Sequence, residues 1–209
     1  RGLGDVYKRQ MYNRTENYQS DCSYISQIKA FKDNVSIKSC LSYTFSVSNS
    51  QGTSLIKDRP FTAEMTRSIM LLKEKPYRPR MADYRIGVFF TGREQLGEGA
   101  KTTVPVYYAN RWDIQPSDTA AYLRGEKVKP TKQIVFYIDN TFPEKWKPYL
   151  REGVTQWNEL FEQIGFKDVV AAKDFPTDDP EFDPDNIKYS CVRYAPSSIE
   201  NAMGPSWVD

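Results

Sequence analysis

The longest stretch with a clear hydrophobic pattern lies between Gln133 and Gly165. It opens with five apolar residues, Ile134–Ile138, whose β-branched and aromatic character predicts a strand covered on both faces. Apolar residues then recur at three- and four-residue steps, the spacing of one stripe on an α-helix. The pattern predicts a strand followed by a helix, and the stripe consists of Trp146, Tyr149, Leu150, Val154, Trp157, Leu160, Phe161 and Ile164.

Signals for helix ends flank this stripe. Thr141 and Glu144 have the Thr-x-x-Glu spacing of a capping box, which predicts a helix start. Because proline is tolerated only in the first turn, we expect a short opening turn and then a main helix with Pro148 at its first position. Gly165 predicts a left-handed C-terminal cap. The apolar residues 169–172 predict a second strand, which completes a βαβ unit with a right-handed crossover.

The residues after this unit predict an acidic loop and a third strand. Residues 173–186 contain six acidic residues and three prolines, and we expect a solvated loop. Alternating oxygen ligands would also suit calcium, but the Gly and the terminal Glu of an EF-hand loop are missing. Residues 187–194 predict the third strand.

The pattern before residue 110 is β-like. Residues 41–47 alternate strictly between apolar and polar, which is typical of a half-buried strand. The sequence Asn49-Ser50-Gln51-Gly52 predicts a turn. Residues 62–72 fit either a strand or a helix, and their β-like surroundings favour a strand.

Two further strands are expected at residues 84–90 and 103–108. Three glycines, Gly92, Gly97 and Gly99, separate them. A phosphate-binding loop would require Gly-Lys-Ser/Thr and a helix directly behind it, and neither is present in the sequence. We therefore expect a long hairpin loop.

Composition narrows the class of protein. The 209 residues, 39% of them hydrophobic and 14% aromatic, can fill a globular core. The 29 basic and 27 acidic side chains nearly balance, so net charge favours neither nucleic acid nor an anionic membrane as partner. No apolar stretch approaches the roughly 18 residues that suggest a membrane span.

Histidine and cysteine usage restricts the chemistry. The chain has no histidine, which removes Ser-His-Asp and Cys-His arrangements and His-ligated metal sites from these residues. Cys22, Cys40 and Cys191 lack metal-site spacing. They are expected to be small buried thiols, and a Cys22–Cys40 disulfide is the alternative.

The chain divides into four predicted segments. Residues 1–10 resemble a translated sequencing adaptor and are set apart from the fold. Residues 11–110 are expected to form the C-terminal part of a β-rich upstream domain, and 111–130 a linker. Residues 131–209 would then contain the βαβ unit and its sheet, which gives an α+β fold class.

Three stretches carry a resemblance to a known family: VFYIDNTFPEKWKPYLREGVTQWNELFEQIGFKDVVAAKD, TDDPEFDPDNIKYSCVRYAPS and NAMGPSWVD. They resemble the large zinc-dependent metalloproteases of Bacteroidota and related bacteria, which are metzincin-like proteins with an upstream β-rich domain of unknown function. The resemblance continues upstream in TRSIMLLKEKPYRPRMADYRIGVFF and NRWDIQPSDTAAYLRGE, and so covers most of residues 61–209.

The resemblance implies a secreted, periplasmic or outer-membrane-associated endopeptidase. Its partner would be a peptide or protein substrate, and zinc would activate the attacking water. In this family the H-E-x-x-H motif lies beyond the Asn-Ala-Met-Gly-Pro-Ser segment. We therefore expect a truncated peptidase domain at 131–209, with no catalytic or zinc-ligating residue of its own.

The resemblance also implies roles for residues that are present. Trp157, Leu160 and Phe161 would belong to the core behind the sheet. By position, Ala202-Met203-Gly204 is the candidate substrate-binding segment, an edge to which an extended peptide adds as a strand. A plain turn at Gly204-Pro205 is the competing interpretation.

A second class of function stays open at this point. A non-catalytic extracellular or surface binding protein can keep the scaffold and lose the zinc site, because fold does not imply function. A nucleotide-binding βαβ unit is a distant third, because the turn after the first strand lacks the glycine-rich signature.

Overall fold

The computed structural model describes residues 12–74, 77–97, 99, 101–197 and 202–204, so the adaptor-like residues 1–10 lie outside the described part. The chain forms two compact units. The first comprises Arg1–Leu71 with Asp185–Ile187, and the second comprises Leu72–Pro184 with Lys188–Asp209.

Three long antiparallel strands form the first unit. They are β1 (Tyr12–Ala30), β2 (Asn34–Asn49) and β3 (Ser54–Met70), in the order β1-β2-β3. The β-like pattern of this part is confirmed, and residues 62–70 are strand rather than helix. The predicted turn is also confirmed, since the Asn49 side chain accepts hydrogen bonds from the N–H groups of Gln51 and Thr53 at 3.0 and 2.8 Å.

Bulges explain why β1 lacks a regular sequence pattern. Four β1 residues, 20–23, lie opposite the single β2 residue Leu41 between the Gln19–Ser42 and Tyr24–Cys40 pairs, so β1 has three extra residues. The bulge is tied to β2 because Ser23 Oγ accepts from the Ser42 N–H at 3.0 Å. A bulge shifts which residues face each side, so alternation breaks at this point.

Two strands of the second unit form a hairpin, as expected, but the first strand is displaced. Strand β4 is Phe90–Gln95 rather than 84–90, and it pairs with β5 (Val104–Ala109). The predicted strand at 84–90 is wrong because Asp83 folds its own neighbourhood into a turn. Its carboxylate accepts from the Arg85 N–H at 3.0 Å, and the Ile86 N–H donates to the Asp83 carbonyl.

The segment expected to be a linker, 111–130, contributes to the core of the second unit. It contains the short helix α1 (Thr119–Leu123), which Asp118 caps by accepting from the Ala121 N–H at 2.9 Å. Ala121 and Val128 are both buried in the main apolar cluster.

A three-stranded parallel sheet is the centre of the second unit. Its strands are β6 (Ile134–Ile138), β7 (Val170–Asp174) and β8 (Ser190–Val192), in the order β7-β6-β8. Both neighbours run parallel to β6. The predicted strands at 134–138 and 169–172 are confirmed, and the third is shorter than the predicted 187–194. A β-rich α+β fold is therefore present.

Two helices connect β6 to β7: α2 (Lys147–Thr155) and α3 (Trp157–Gln163). Pro148 lies in the first turn of α2, and Gly165 adopts a φ of 89° after α3, as expected. The predicted capping box is wrong. The Thr141 hydroxyl donates to the Asp139 carboxylate at 2.7 Å instead of capping a helix, and Glu144 binds Lys147 Nζ at 2.6 Å.

The predicted core role of Trp157 and Leu160 is also wrong, since they are 59% and 53% exposed. Phe161 does pack against the apolar cluster. The cause is Asn158, whose side-chain amide donates to the Val170 carbonyl and accepts from the Val170 N–H, both at 2.8 Å. Fixing Asn158 on β7 turns the adjacent Trp157 outward, because successive helical residues are about 100° apart.

The acidic loop covers the other face of the sheet with aromatic side chains. Phe182 lies 4.9 Å from Phe175, 5.3 Å from Tyr137 and 4.8 Å from Tyr189, measured between ring centroids. Successive strand residues point to opposite faces, so Phe136 faces the helices and Tyr137 faces the loop. The loop is therefore anchored by Phe182, while its acidic residues Asp178, Asp179 and Glu181 are exposed.

Candidate functional site

The carboxyl ends of parallel strands are where α/β sheets bind ligands, so this edge of the second unit is the candidate site. The central strand β6 ends at Ile138, and Asp139 follows it directly. The neighbouring strand β8 ends at Val192 and continues into Tyr194. Asp139, Phe142, Trp146 and Tyr194 come together at this edge.

Asp139 joins the loop after β6 to the loop after β8. Its Oδ1 atom accepts hydrogen bonds from the Thr141 N–H at 2.9 Å and from the Thr141 hydroxyl at 2.7 Å. Its Oδ2 atom accepts a longer bond of 3.4 Å from the Tyr194 N–H. In addition, the Asp139 N–H donates to the Val192 carbonyl at 3.0 Å. The carboxylate therefore fixes the course of both loops.

These contacts also set the protonation state of Asp139. Burial alone raises the pKa of its carboxyl, but the hydrogen bonds from Thr141 and Tyr194 and the charge of Arg193 outweigh it. The net result is a pKa below the usual value. A carboxylate that stays ionised and is already hydrogen-bonded suits a positioning role rather than proton transfer.

An aromatic cluster lines the same edge. The Tyr194 ring lies 5.1 Å from the Phe142 ring and 6.0 Å from the Trp146 ring. Lys145 Nζ stands 5.9 Å from the centroid of the Trp146 ring, within cation–π range. Trp146 is 44% exposed, so part of this aromatic cluster is accessible at the edge.

Cys191, in the middle of β8, is the thiol nearest to this edge. Burial raises the pKa of the Cys191 thiol to about 11, with Asp139 and Asp183 adding to the effect and Arg193 opposing it. The thiolate is the nucleophilic form, so Cys191 is suited to packing and not to nucleophilic attack near neutral pH.

All three cysteines carry free thiols, so the alternative Cys22–Cys40 disulfide is not formed. Cys22 is exposed, and only Cys40 and Cys191 are partly buried. Within the described ranges, no group of three or more His, Cys, Asp or Glu side chains is placed to hold a metal ion. No helix in the same ranges is long and apolar enough to cross a membrane.

The predicted substrate-binding residues Ala202, Met203 and Gly204 lie in exposed, irregular backbone, and the Met203 side chain is 74% exposed. None of the three belongs to a strand in the part of the chain that the structure describes. Their role as a strand-pairing edge stays a prediction.

The sequence pattern did not indicate Asp139 or Tyr194 as site residues. The available signal was position, because Asp139 directly follows the buried strand 134–138 and Tyr194 is the last residue of the predicted strand 187–194. The pairing of β8 with β6 was the missing information. It brings together residues that are 55 positions apart.

Comparison with known proteins places the chain in a family. Residues 3–117 match the family model "Domain of unknown function (DUF5117)". The match covers more than half of the chain, which therefore belongs to this family. No curated protein and no solved structure matches the chain.

Proposed function

We propose that this chain is part of a zinc-dependent metalloendopeptidase of the metzincin type, with the zinc ligands supplied by residues outside this sequence. The carrying observation is the strand–helix–strand unit from Ile134–Ile138 to Val170–Asp174, which lies within the longest stretch that resembles this family. The two strands are parallel, as expected for such a unit.

The family match adds support from the other half of the chain. The resemblance implies a β-rich domain of unknown function upstream of the peptidase domain. Residues 3–117 match one family model, and within them residues 12–70 form three long strands, as a β-rich upstream domain requires. Domain order and strand content are therefore consistent with the proposal.

The residues present do not fit a zinc site. There is no histidine in the sequence, and in the part of the chain that the structure describes no cluster of acidic residues or cysteines is placed to bind a metal. No catalytic step is assigned to this chain. Its proposed contribution is to support the cleft and to bind an extended peptide or protein substrate.

In this proposal, residues 202–204 form the cleft edge. A substrate strand that adds to a sheet edge gains affinity from main-chain hydrogen bonds, which require a free backbone N–H. Asp139 would hold the loops after β6 and β8 in place. The enzyme would act in the periplasm, at the outer membrane or outside a Bacteroidota-type cell.

The test begins with the complete reading frame recovered from flanking DNA. We expect an H-E-x-x-H motif downstream of Asp209. The full-length protein should contain one zinc per chain by mass spectrometry and should cleave a quenched-fluorescence peptide library. A frame without the motif, or a full-length protein without zinc, would overturn the proposal and leave the non-catalytic binding protein.

Two substitutions at Met203 in the full-length enzyme test the proposed cleft-edge role of residues 202–204. Met203→Pro removes one backbone N–H, whereas Met203→Leu preserves it. We expect Met203→Pro to lower kcat/KM by at least about tenfold, which corresponds to one lost hydrogen bond. Met203→Leu should stay within about twofold. Equal activity of both variants would exclude these residues from substrate binding.

A further inference from the structure

One face of the β1–β3 sheet is apolar and exposed. Directly opposed residues in antiparallel strands share a face, so the register defines this face. Its exposure is high: Ile28 on β1 is 60% exposed and Ile69 on β3 is 62% exposed. The central strand supplies Val35, Ile37, Leu41, Tyr43, Phe45 and Val47 to the same face, together with one polar residue, Ser39. The flanking strands add four charged residues: Arg14, Glu16, Arg59 and Arg67.

Aromatic side chains cross the middle of this face. The Tyr43 ring lies 5.4 Å from Tyr18 on β1 and 5.3 Å from Phe61 on β3, measured between centroids. The opposite face of β2 carries polar residues, including Ser42, Thr44 and Ser46. An apolar face of this extent marks an interaction site.

We propose that this face binds the same face of a second copy of the chain, about a two-fold axis that runs parallel to β2. Most oligomers of identical chains are two-fold symmetric, and such an interface must be complementary to itself. Rotation about this axis places β1 of one copy over β3 of the other. We call three directly opposed residues, one from each strand, a row. Each row then meets the same row of the partner, and the β1 residue of one copy faces the β3 residue of the other.

Charge complementarity selects this arrangement. Glu16 on β1 and Arg59 on β3 both pair with Phe45 of β2, so they lie at opposite ends of one row. The two-fold axis brings Glu16 of each copy over Arg59 of the other. The dimer therefore contains two equivalent ion pairs at the edges of the apolar face.

Two further rows match: Tyr18 lies in the row of Phe61 and Ile25 in the row of Met65, so apolar side chains meet apolar side chains. In the rows of Ile37 and Val47, Arg67 meets Ile28 and Arg14 meets Ile56. The alternative in-plane axis crosses the strands. Passing through Leu41, it would place Arg59 over Arg67, two like charges, where the axis parallel to β2 pairs Arg59 with Glu16.

Pairing through sheet edges is disfavoured by the strands themselves. The bulge at 20–23 interrupts β1, and a register shift next to Asp58, with φ 46°, interrupts β3. Pro60 removes a backbone donor from β3. Bulges and prolines are the devices that protect exposed edges, so the exposed face is left as the contact surface.

The area is sufficient for a stable dimer. Three strands about 4.8 Å apart and about 16 residues long at about 3.3 Å per residue present roughly 750 Å² per copy. This is close to the roughly 800 Å² that each partner buries in a standard interface. Sheets that pack face to face keep their strands within about 30° of each other, which this axis allows.

The test measures the mass of the full 209-residue chain by light scattering after size exclusion, over a concentration series. We expect a monomer–dimer equilibrium. Glu16→Arg and Arg59→Glu should each weaken dimerisation by at least about tenfold, because each replaces two attractive contacts with repulsive ones. The Glu16→Arg/Arg59→Glu double variant should recover to within about threefold of the original affinity.

Glu64→Arg is the matched control. Glu64 pairs with Cys40 on β2 and so lies on the opposite, polar face, and its substitution makes the same charge change. It should leave the dimer unchanged. A chain that is monomeric at all concentrations would overturn the proposal and assign the face to a different partner. Weakening by Glu64→Arg, or a double variant as weak as the single ones, would overturn this arrangement.

Discussion

The two units of this chain bury apolar surface in different ways. The first is a single sheet with one buried apolar side chain, Leu41, among its described residues; Asn34, Ser36 and Ser39 are its buried polar ones. The second packs helices and a loop on the two faces of a parallel sheet. Its buried apolar residues are Ala121, Val128, Ile134, Ile138, Phe166, Val169 and Val170.

This difference shows which interactions define each unit. The first relies on ladder hydrogen bonds and cross-strand pairs, each of which contributes about 0.2–1 kcal/mol. The second relies on apolar burial, for which a fully buried side chain contributes about 1.5–3 kcal/mol. Single substitutions should therefore have larger effects in the second unit than in the first.

Among these substitutions, Ile138→Ala should lower the free energy of unfolding the most. Ile138 is 0% exposed at the end of the central strand. Removing a buried branched side chain and leaving a cavity costs about 2–5 kcal/mol. Hydrogen exchange of the β6 and β7 amides, which reports local unfolding, measures this cost within the second unit.

The matched substitution in the first unit is Leu55→Ala on β3, where the side chain is exposed. We expect the free energy of unfolding to fall by less than about 0.5 kcal/mol, as measured by hydrogen exchange of the β2 and β3 amides. A similar loss in both units would contradict the contrast between them.

Thiol reactivity gives the next largest effect. Burial raises the pKa of the Cys191 thiol to about 11 from an ordinary value of 9.0. At pH 8 the thiolate fraction of Cys191 should therefore be about 100-fold smaller than that of an ordinary thiol. Iodoacetamide labelling followed by peptide mass spectrometry should show Cys22, which is exposed, reacting far faster. The labelling rate of Cys191 should keep rising until about pH 11. Equal rates at pH 8 would mean that Cys191 is not shielded.

Two glycines of the second unit differ in whether the structure requires glycine at that position. Gly165 has a φ of 89°, and an added Cβ would lie 2.9 Å from a Tyr122 ring atom. The ring is held because the Tyr122 hydroxyl donates to the Ile164 carbonyl at 3.0 Å. Gly165→Ala should therefore destabilise the unit by about 1–2 kcal/mol in hydrogen exchange.

Gly153→Ala is the control for this substitution. Gly153 is inside α2, and an added Cβ would meet nothing within 4 Å. Alanine is the better helix former, so this change should stabilise the unit by up to about 1 kcal/mol. Destabilisation by Gly153→Ala would mean that the outer face of α2 is covered.

Sequence patterns predicted elements best where the pattern is local. The strand Ile134–Ile138, the left-handed Gly165 and the turn at Asn49 all follow from neighbouring residues. The capping box at Thr141 and the strand at 84–90 failed for a shared reason. In both places an aspartate, Asp139 or Asp83, accepts hydrogen bonds from residues two positions on and creates a turn that competes with the predicted element.

The candidate site depended on long-range pairing and was largely hidden in the sequence. The Asp139–Tyr194 contact exists only because β8 adds to β6 after the acidic loop. The loop itself gave no sign of its anchor, because Phe175 and Phe182 are isolated apolar residues among acidic residues and prolines. Composition indicated a solvated segment and could not show which side chain turns inward.

The smallest predicted effect concerns Trp157, where the sequence pattern and the structure disagree most. An unbroken stripe places Trp157 in the core and predicts a loss of about 3–5 kcal/mol for Trp157→Ala. The structure instead fixes Asn158 on β7 and leaves Trp157 59% exposed. We therefore expect a loss below about 1 kcal/mol in hydrogen exchange of α3. Phe161→Ala, on the face that packs against the core, should cost about 3 kcal/mol and serves as the control. If Trp157→Ala and Phe161→Ala lower the free energy of unfolding equally, another surface covers the outer face of α3 in solution. The second unit would then have an apolar surface that needs a partner, as the sheet of the first unit has.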